Sequence, residues 1–375
     1  MKKNIIVLAA LFAGLVSCKQ QRETSADMKQ PIDNKATEET VRLYNKLFAT
    51  IDKGIMVGHQ DDLAYGHGWF GEPGRSDIKD VAGDYPAVIG WELGHVELGA
   101  PVNLDSVSFA DMKRYIRETH DRGGITTLSW HGDNIVTGNT AWDCAQDSVV
   151  RTILPNGSNH AKYMEWLDHV GDFFLDLKDK DGRYIPVVFR MYHEHTGDWF
   201  WWCRKQCTPE EYKQLWRMTV EYLRDKKNVH NLLYAYSPSG VADEEEFLER
   251  YPGDEYVDVV AFDCYAPNAT PEGIAHYKEE MNRNLQIITA YAAKSGKLPV
   301  IGETGLEGIP NSTYFTEAVY PVISQYKIGW VLFWRNAWEK DKPNHFYGPF
   351  AEHTSAPDFV EFVKKPDILM NTDIK

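Results

Sequence analysis

Two glutamates in this sequence follow directly on apolar runs, and their position suits them to one kind of chemistry. Glu194 closes one run and Glu303 closes another. Hydrolysis of a glycosidic bond requires a proton for the leaving oxygen and an anion that stabilises or traps the positively charged sugar carbon, and two carboxyl groups supply both. The alternative is that either glutamate forms an internal ion pair with Arg190 or Arg335. Two such positions in one chain favour catalysis.

The apolar runs before the glutamates belong to a repeat of short β-branched segments, each followed by a longer segment with helical spacing. This alternation predicts parallel strands covered by helices. The predicted strands cover residues 55–59, 87–93, 124–131, 185–194, 231–237, 257–265, 298–303 and 329–335, and the predicted helices include 109–122, 163–176, 209–226, 273–294 and 312–326. Eight such units predict an α/β fold, a closed (β/α)8 TIM barrel that forms a single catalytic domain over residues 37–370. No glycine-rich phosphate-binding turn follows a strand, which argues against a doubly wound sheet.

Polar and aromatic residues cluster where the predicted strands end. In a (β/α)8 barrel these carboxyl-terminal ends meet at one mouth, where such enzymes place their chemistry. The clusters are His59-Gln60-Asp61-Asp62, Trp91-Glu92, Trp130-His131-Gly132-Asp133-Asn134, His193-Glu194-His195, Asp263-Cys264-Tyr265, Glu303-Thr304 and Trp334-Arg335-Asn336. Glu194 and Glu303 end the fourth and seventh strands, so we expect them to face each other across this mouth. Asp61 and Asp62 either line the same cleft or cap a helix.

The segment from Trp199 to Trp202 holds three tryptophans and a phenylalanine, too many aromatic residues for a plain exposed loop. Flat aromatic faces suit the C–H faces of sugar rings. We expect Trp199 to stack on a sugar, and Trp201 and Trp202 to pack beneath the loop.

His193 and His195 flank Glu194, a pattern that raises the question of a bound metal. On an extended chain alternate side chains point to opposite faces, so both histidines are expected to lie on the other side of the chain from Glu194. We therefore expect neither a metal nor any other cofactor.

The stretch Tyr192-His193-Glu194-His195-Thr196-Gly197-Asp198-Trp199-Phe200-Trp201-Trp202, with histidine rather than asparagine before the glutamate, resembles glycoside hydrolase family 26. Most characterised members of that family are β-mannanases. Supporting matches are Ser129-Trp130-His131, Asp133-Asn134, Tyr265, Gly302-Glu303-Thr304-Gly305 and Trp334-Arg335-Asn336. The resemblance covers about residues 37–370, the whole predicted barrel.

The resemblance implies a retaining enzyme that cleaves β-1,4-mannosidic bonds in mannan, galactomannan or glucomannan by double displacement. Glu194 would act as the acid/base and Glu303 as the nucleophile. Among substrate-binding residues, Tyr265 would hydrogen-bond Glu303, His131, His193 and Trp199 would line the subsites that flank the cut, Trp334 would form the floor under the covalently bound sugar, and Arg335 would reach one subsite further.

The proposed roles set expectations for the two carboxyl groups. Burial against Trp199 and the nearby charge of Glu303 should raise the pKa of Glu194 and keep it protonated. Tyr265 and, if it lies near, Arg335 should favour the Glu303 anion. The two carboxyl groups of a retaining enzyme are expected roughly 5–5.5 Å apart, and those of an inverting enzyme roughly 6.5–9.5 Å apart.

Composition restricts the partner without identifying it. A formal net charge of −15 disfavours nucleic acid and anionic lipid surfaces, because binding to either depends on lysine and arginine. A neutral glycan such as β-mannan, or manno-oligosaccharides, fits better, and aromatic residues make up 13% of the chain. Two alternatives stay open at this point: the same machinery acting on a mixed-linkage β-glucan or a xylan, and a non-catalytic glycan-binding lipoprotein.

The N-terminus has the features of a bacterial lipoprotein signal. Two lysines precede an apolar run that ends in Ser17-Cys18, so residues 1–17 are expected to be cleaved and Cys18 to be lipidated. The alternative is an ordinary secretory signal. Residues 18–36 are polar and would form a flexible tether, with the lipid as the only membrane contact. The expected location is the bacterial cell envelope, on the periplasmic side or at the cell surface, where Cys203 and Cys207 either form a disulfide or stay free.

Overall fold

The computed structural model describes residues 28–145 and 148–375. Its centre is a barrel of eight parallel strands. They are β1 (Ile55–Gln60), β2 (Val88–Glu92), β3 (Ile125–Trp130), β4 (Val187–Met191), β5 (Leu232–Tyr236), β6 (Val259–Val260 and Asp263–Tyr265), β7 (Leu298–Pro299 and Ile301–Gly305) and β8 (Trp330–Phe333). Each strand pairs in parallel with the next, and β8 pairs with β1, so the sheet closes. The predicted (β/α)8 barrel is confirmed.

Helices surround the barrel and return the chain from one strand to the next. They are α1 (Glu38–Ile51), α2 (Asp77–Ala82), α3 (Phe109–Asp121), α4 (Val149–Ile153), α5 (His160–Leu175), α6 (Pro209–Glu221), α7 (Glu244–Glu249), α8 (Pro271–Ser295), α9 (Tyr320–Ile323) and α10 (Ala356–Val363). Side-chain caps fix where several begin: Thr208 forms a capping box with Glu211 at α6, and the Thr270 hydroxyl accepts from the Gly273 amide at α8. Both helices start at a proline, which suits the first helical turn.

The interior of the barrel changes from apolar to polar along each strand. At the base, Met56, Val88, Val188, Leu233 and Trp330 belong to one buried cluster that fills the barrel. Closer to the carboxyl ends of the strands, the buried positions are polar: Glu92, Ser129, Arg190, Ser237 and Asp263. The alternate residues of the strands face outward and pack against the helices. Packing at the base therefore holds a polar set at the mouth in fixed positions.

The described chain is packed before residue 37, where the barrel was predicted to begin. The amide of Ile32 donates to Asp258 at 2.8 Å, and buried Asp33 bonds His230 at 2.7 Å. Residues 28–36 are thus anchored to the barrel and are not free tether. The predicted signal peptide, Cys18 and the rest of the tether lie outside the described residues. Within the part of the chain that is described, no helix is long and apolar enough to cross a membrane.

Candidate active site

Glu303 lies at the mouth with a donor on each carboxylate oxygen. The Tyr265 hydroxyl donates to Oε2 at 2.6 Å, and the Arg190 guanidinium donates to Oε1. Arg190 also donates to Asp263 at 2.8 Å, so one buried cation joins two carboxylates. Burial, and then the Glu303 charge, raise the pKa of Tyr265 well above its ordinary value, so this phenol stays a donor. The surroundings fit an ionised carboxylate held in one orientation.

Arg335, which was expected to favour the Glu303 anion if it lay near, forms no ion pair with Glu303 in the described part of the chain. Arg335 instead pairs with Asp105 at 3.2 Å and with Glu339 at 3.3 Å. The ion pair between Arg190 and Glu303, considered from sequence as the alternative to catalysis, is formed. It coexists with an active-site position, because the same pair fixes the carboxylate at the mouth.

An irregularity in β7 turns Glu303 inward. Ile301 and Thr304 are three positions apart, whereas their partners on β8, Val331 and Phe333, are two positions apart, which is the signature of a bulge. Gly302 in this bulge packs so closely that an added Cβ would lie 2.5 Å from Asp263 Oδ1. A glycine at this position lets the backbone approach the site and bring the following carboxylate into it.

Glu194 lies just beyond the end of β4, in a tight turn. Both Tyr192 and Glu194 have left-handed backbone conformations, with φ of 46° and 53°. The Glu194 amide donates to Ser237 O at 2.7 Å, and the indole of Trp199 donates to Oε2 at 2.7 Å. Burial, and then the charge of Glu303, raise the pKa of Glu194 to about 7, as predicted for an acid catalyst.

The tryptophan-rich segment divides as predicted. Trp199 is 40% exposed, and its ring lies so close to Gly197 that a Cβ there would sit 2.5 Å from it. Trp201 and Trp202 are buried, and their indoles donate to the carbonyls of Gly132 and His193 at 2.9 and 2.7 Å. One ring of the segment, that of Trp199, is therefore accessible beside Glu194, and the other two tryptophan rings are buried and hold the segment in place.

Cys203 and Cys207 are both free thiols in the structure. The Cys203 thiol donates to the Glu194 carbonyl, and the Cys207 thiol donates to the Trp202 carbonyl, each at 3.3 Å. In the structure, Cys203 and Cys207 therefore form no disulfide with each other and lie as separate thiols beneath the active-site turn.

The two histidines around Glu194 diverge. His193 faces the site, with Nε2 at 3.1 Å from Nε2 of His131 and 3.9 Å from Glu303 Oε1. His195 is buried, and its ring lies 4.6 Å from that of Tyr212. The expectation that both lie on one side was wrong, because β4 ends at Met191 and the alternation of an extended chain no longer applies.

Trp334 and Arg335 follow β8, and the Trp334 amide donates to the carbonyl of Thr304, the residue after Glu303, at 3.1 Å. The partly exposed Trp334 ring lies 6.4 Å from that of His131. Arg335 lies against the Tyr65 ring, whose hydroxyl donates to Asp61 at 2.8 Å. Asp61 therefore belongs to the charged cluster around Arg335. Ser76 is the N-cap of α2, and Asp62 supports the same first turn, because its Oδ1 accepts from the Ile78 amide at 3.5 Å.

Sequence reasoning missed two residues of the site. Trp142 is 49% exposed and stacks on His131 with a ring separation of 4.9 Å. It lies in a long loop, and no strand end marks it. Glu92 was noted as a strand end but given no role, although it accepts from His131 Nδ1 at 2.6 Å.

These positions bring together Glu194, whose pKa is raised to about 7, a second carboxyl group with a hydrogen-bond donor on each oxygen, and exposed aromatic faces, the set that glycosidic hydrolysis requires. The family model described as "Glycosyl hydrolase family 26" matches residues 32–331. The chain belongs to this family. The family resemblance predicted from the sequence is thereby confirmed.

Family 26 relatives share both sequence and structure with this chain. A mannan endo-1,4-beta-mannosidase of Bifidobacterium adolescentis is 33% identical over 74% of this chain, which spans only 28% of that relative. One of Bacillus subtilis is 25% identical over 73% of this chain and 79% of its own length. A GH26 beta-mannanase from Bacteroides ovatus is 48% identical, with a TM-score of 0.87 over 90% of this chain and 96% of its own. An endo-beta-1,4-mannanase from Cellulomonas fimi is 31% identical, with a TM-score of 0.82 over 92% and 78%.

Proposed function

We propose that this family 26 protein hydrolyses β-1,4-mannosidic bonds by a retaining double displacement. The proposal rests on two carboxyl groups at one mouth whose surroundings differ, one favouring a proton donor and the other an acceptor of hydrogen bonds. Glu194 has a pKa of about 7, whereas Glu303 accepts hydrogen bonds from Tyr265 and Arg190 on its two oxygens. The relatives from Bifidobacterium adolescentis and Bacillus subtilis are both named mannan endo-1,4-beta-mannosidase, which supports mannan as the substrate.

In the first step, Glu303 attacks the anomeric carbon while Glu194 protonates the leaving oxygen. A covalent glycosyl-enzyme forms, and the reducing-side product departs. Glu194, now ionised, then removes a proton from water, which attacks the same carbon and releases Glu303. Tyr265 and Arg190 hold Glu303 in line for the attack, and the Trp199 indole stabilises the Glu194 anion that exists between the two steps.

Substrate contacts follow from the exposed rings. Trp199 donates to the catalytic acid, so its accessible face lies on the leaving-group side of the cut. The family resemblance assigns Trp334 to the floor under the covalently bound sugar and Arg335 to its non-reducing neighbour. The expected separation of about 5–5.5 Å between the carboxyl groups stays a prediction of the retaining mechanism.

Reducing-sugar release tests the substrate and both roles. Wild type should cleave mannan, glucomannan and galactomannan, and should leave xylan and mixed-linkage β-glucan intact. Glu194→Ala and Glu303→Ala should lose activity on polysaccharide, while Glu317→Ala, an exposed carboxylate outside the mouth, should retain it. Preferential cleavage of xylan or β-glucan would support the same machinery on another glycan, and binding without cleavage would support a non-catalytic protein.

Azide rescue separates the two roles. With an aryl β-mannoside that carries a good leaving group, Glu194→Ala should still form the glycosyl-enzyme, and azide should then give a β-mannosyl azide. In Glu303→Ala, azide should replace the missing nucleophile and give an α-mannosyl azide. The reverse assignment of products would contradict the roles given to these residues.

We also propose that the protein is anchored to the bacterial cell envelope through a lipid on Cys18. The lysines, apolar run and Ser17-Cys18 junction support this proposal. Cells that express wild type should incorporate labelled palmitate into the protein, and Cys18→Ser should abolish the label and release the protein from membranes. Protease treatment of intact cells would then distinguish the cell surface from the periplasmic side. Retention of membrane binding by the variant would contradict the anchor.

A further inference from the structure

Glu92 lies behind the catalytic centre with four donors on its two oxygens. The amides of Gly94 and His131 donate to Oε1 at 2.5 and 2.8 Å, and the Ser129 hydroxyl and His131 Nδ1 lie 2.6 Å from Oε2. Such a set suits an ionised carboxylate, which only accepts. Burial alone would raise the pKa of Glu92, but the facing His131 and these hydrogen bonds lower it to about 2. His131 must therefore carry its Nδ1 proton.

The proton on His131 Nδ1 restricts which nitrogen of His193 can be protonated. The Nε2 atoms of His131 and His193 face each other at 3.1 Å, so one proton lies between them. When His131 is neutral, its Nε2 accepts, and His193 must donate from Nε2 and leave Nδ1 unprotonated. When His131 is an imidazolium, its Nε2 donates, and neutral His193 carries its proton on Nδ1. Within residues 28–145 and 148–375, buried His193 Nδ1 has no hydrogen-bond partner.

We infer that Glu92 is a positioning residue that sets the proton arrangement of the His131–His193 pair, and so decides which ring nitrogen of His193 carries a proton beside the nucleophile. His193 Nε2 lies 3.9 Å from Glu303 Oε1, so the pair belongs to the catalytic centre. Glu92 itself does not reach the cleft, because it is buried beneath His131. It acts on the substrate only through the two imidazoles.

The charges around the pair favour the imidazolium on His131. Burial would lower the pKa of His131, but Glu92 first, and then Glu303 and Glu194, raise it above its ordinary value. Asp105 is the further acidic group that interacts with His131. Burial, then Arg190, His131 and His195, lower the pKa of His193 well below its ordinary value. These charges therefore favour a positive charge on His131 over one on His193, and a neutral His193 beside an imidazolium has Nδ1 as its donor.

The test uses the full protein with ¹⁵N-labelled histidine. Long-range ¹H–¹⁵N spectra report which ring nitrogen is protonated, and the His131→Asn and His193→Asn variants assign the two rings. In wild type, His131 Nδ1 should stay protonated from about pH 5 to 8, because an ionised carboxylate accepts from it. A His131 ring protonated only at Nε2 would overturn the inference without the need for any variant.

Glu92→Gln removes the charge and keeps an acceptor oxygen, so the pKa of His131 should fall by at least about one unit. Glu97→Gln is the matched control, because the buried Glu97 carboxyl bonds Trp130 and the Asp133 amide, and the one imidazole that Glu97 contacts, that of His169, bonds its backbone carbonyl, which the substitution keeps. It should leave the pKa of His131 unchanged. Equal shifts in both variants, or no shift in Glu92→Gln, would overturn the inference.

Activity supplies a second readout, which rests on the proposed mannanase function. Glu92→Gln should lower kcat/KM at pH 6 by about ten- to hundredfold, the loss typical of a hydrogen bond to a charged group, and should move the acidic limb of the pH profile. An unchanged pH profile beside an altered His131 pKa would overturn the link between Glu92 and the substrate. If wild type lacks activity on β-mannans, the proposed function fails, and the spectra still decide the proton arrangement.

Discussion

The indole of Trp199 should tune the acidity of Glu194, and Trp199→Phe tests this. The Nε1–Oε2 distance is 2.7 Å, and this bond stabilises the ionised form of Glu194. A hydrogen bond to a charged group contributes about 1.5–3 kcal/mol, which corresponds to about one to two pKa units. Trp199 is 40% exposed, so we discount the effect for solvent screening to about 0.5–1 unit. The pKa of Glu194, about 7 in the native protein, should rise by that amount.

The sign of the change is visible in the pH profile. Glu194 must be protonated to donate to the leaving oxygen, so kcat/KM falls as the pH rises through its pKa. In Trp199→Phe the alkaline limb should move upward by about 0.5–1 pH unit, even though the loss of stacking area also lowers kcat/KM at every pH. Trp142→Phe is the matched control, because Trp142 is an exposed tryptophan of the same cleft without a hydrogen bond to Glu194.

The profile is measured with a soluble manno-oligosaccharide at substrate concentrations far below KM, so that it reports the free enzyme. Circular dichroism should show that both variants stay folded. An alkaline limb that stays in place, or that moves to lower pH, would refute the idea that the indole stabilises the Glu194 anion. An equal movement in Trp142→Phe would assign the effect to polarity of the cleft and not to the hydrogen bond.

Three further changes test the site and its support. Tyr265→Phe removes the 2.6 Å bond to Glu303 and should lower kcat by about ten- to hundredfold at unchanged thermal stability; a loss confined to KM would contradict the positioning role. Arg190→Met leaves Asp263 and Glu303 buried without their cation, and urea unfolding should show a loss of about 3–5 kcal/mol in the free energy of unfolding. Arg190→Lys should not restore it, because one ammonium group cannot pair with both carboxylates as the guanidinium does. Burial raises the pKa of Glu97 from 4.5 to about 7. The native state thus favours the neutral acid, which contributes about 3 kcal/mol fully below pH 4.5 and loses it as the pH rises to 7. Urea unfolding at pH 4.5 and 7.5 should show this slope in wild type and a smaller one in Glu97→Gln, and equal slopes would contradict it.

The barrel and the two glutamates were predictable because both depend on local pattern. Short β-branched runs and helical spacing repeat eight times, and the carboxyl ends of parallel strands must share one mouth. Glu194 and Glu303 follow from that rule. The expectation that Trp201 and Trp202 pack beneath the loop agrees with their burial.

Other parts of the site depend on contacts between distant segments. Glu339 is only four residues from Arg335, but no local pattern shows that Asp105, from the loop after β2, is its other partner in place of Glu303. The inward turn of Glu303 depends on a bulge that only pairing with β8 reveals. Glu92 gains its role from backbone amides, which have no sequence signature. Residues 28–36 look like a polar tether, yet Asp258 accepts from the Ile32 amide and the His230 ring hydrogen-bonds the Asp33 carboxylate.

The left-handed turn that presents Glu194 has a consequence for how this protein can change. Each non-glycine residue held there costs about 1–3 kcal/mol, and Tyr192 and Glu194 are both in that region. Glycine at position 194 would relax the backbone and remove a buried carboxyl that faces another. The inactive Glu194→Gly protein should therefore resist heat at least as well as the active one. Selection for thermal resistance alone would push this chain away from catalysis, and engineered stability has to come from positions outside the turn.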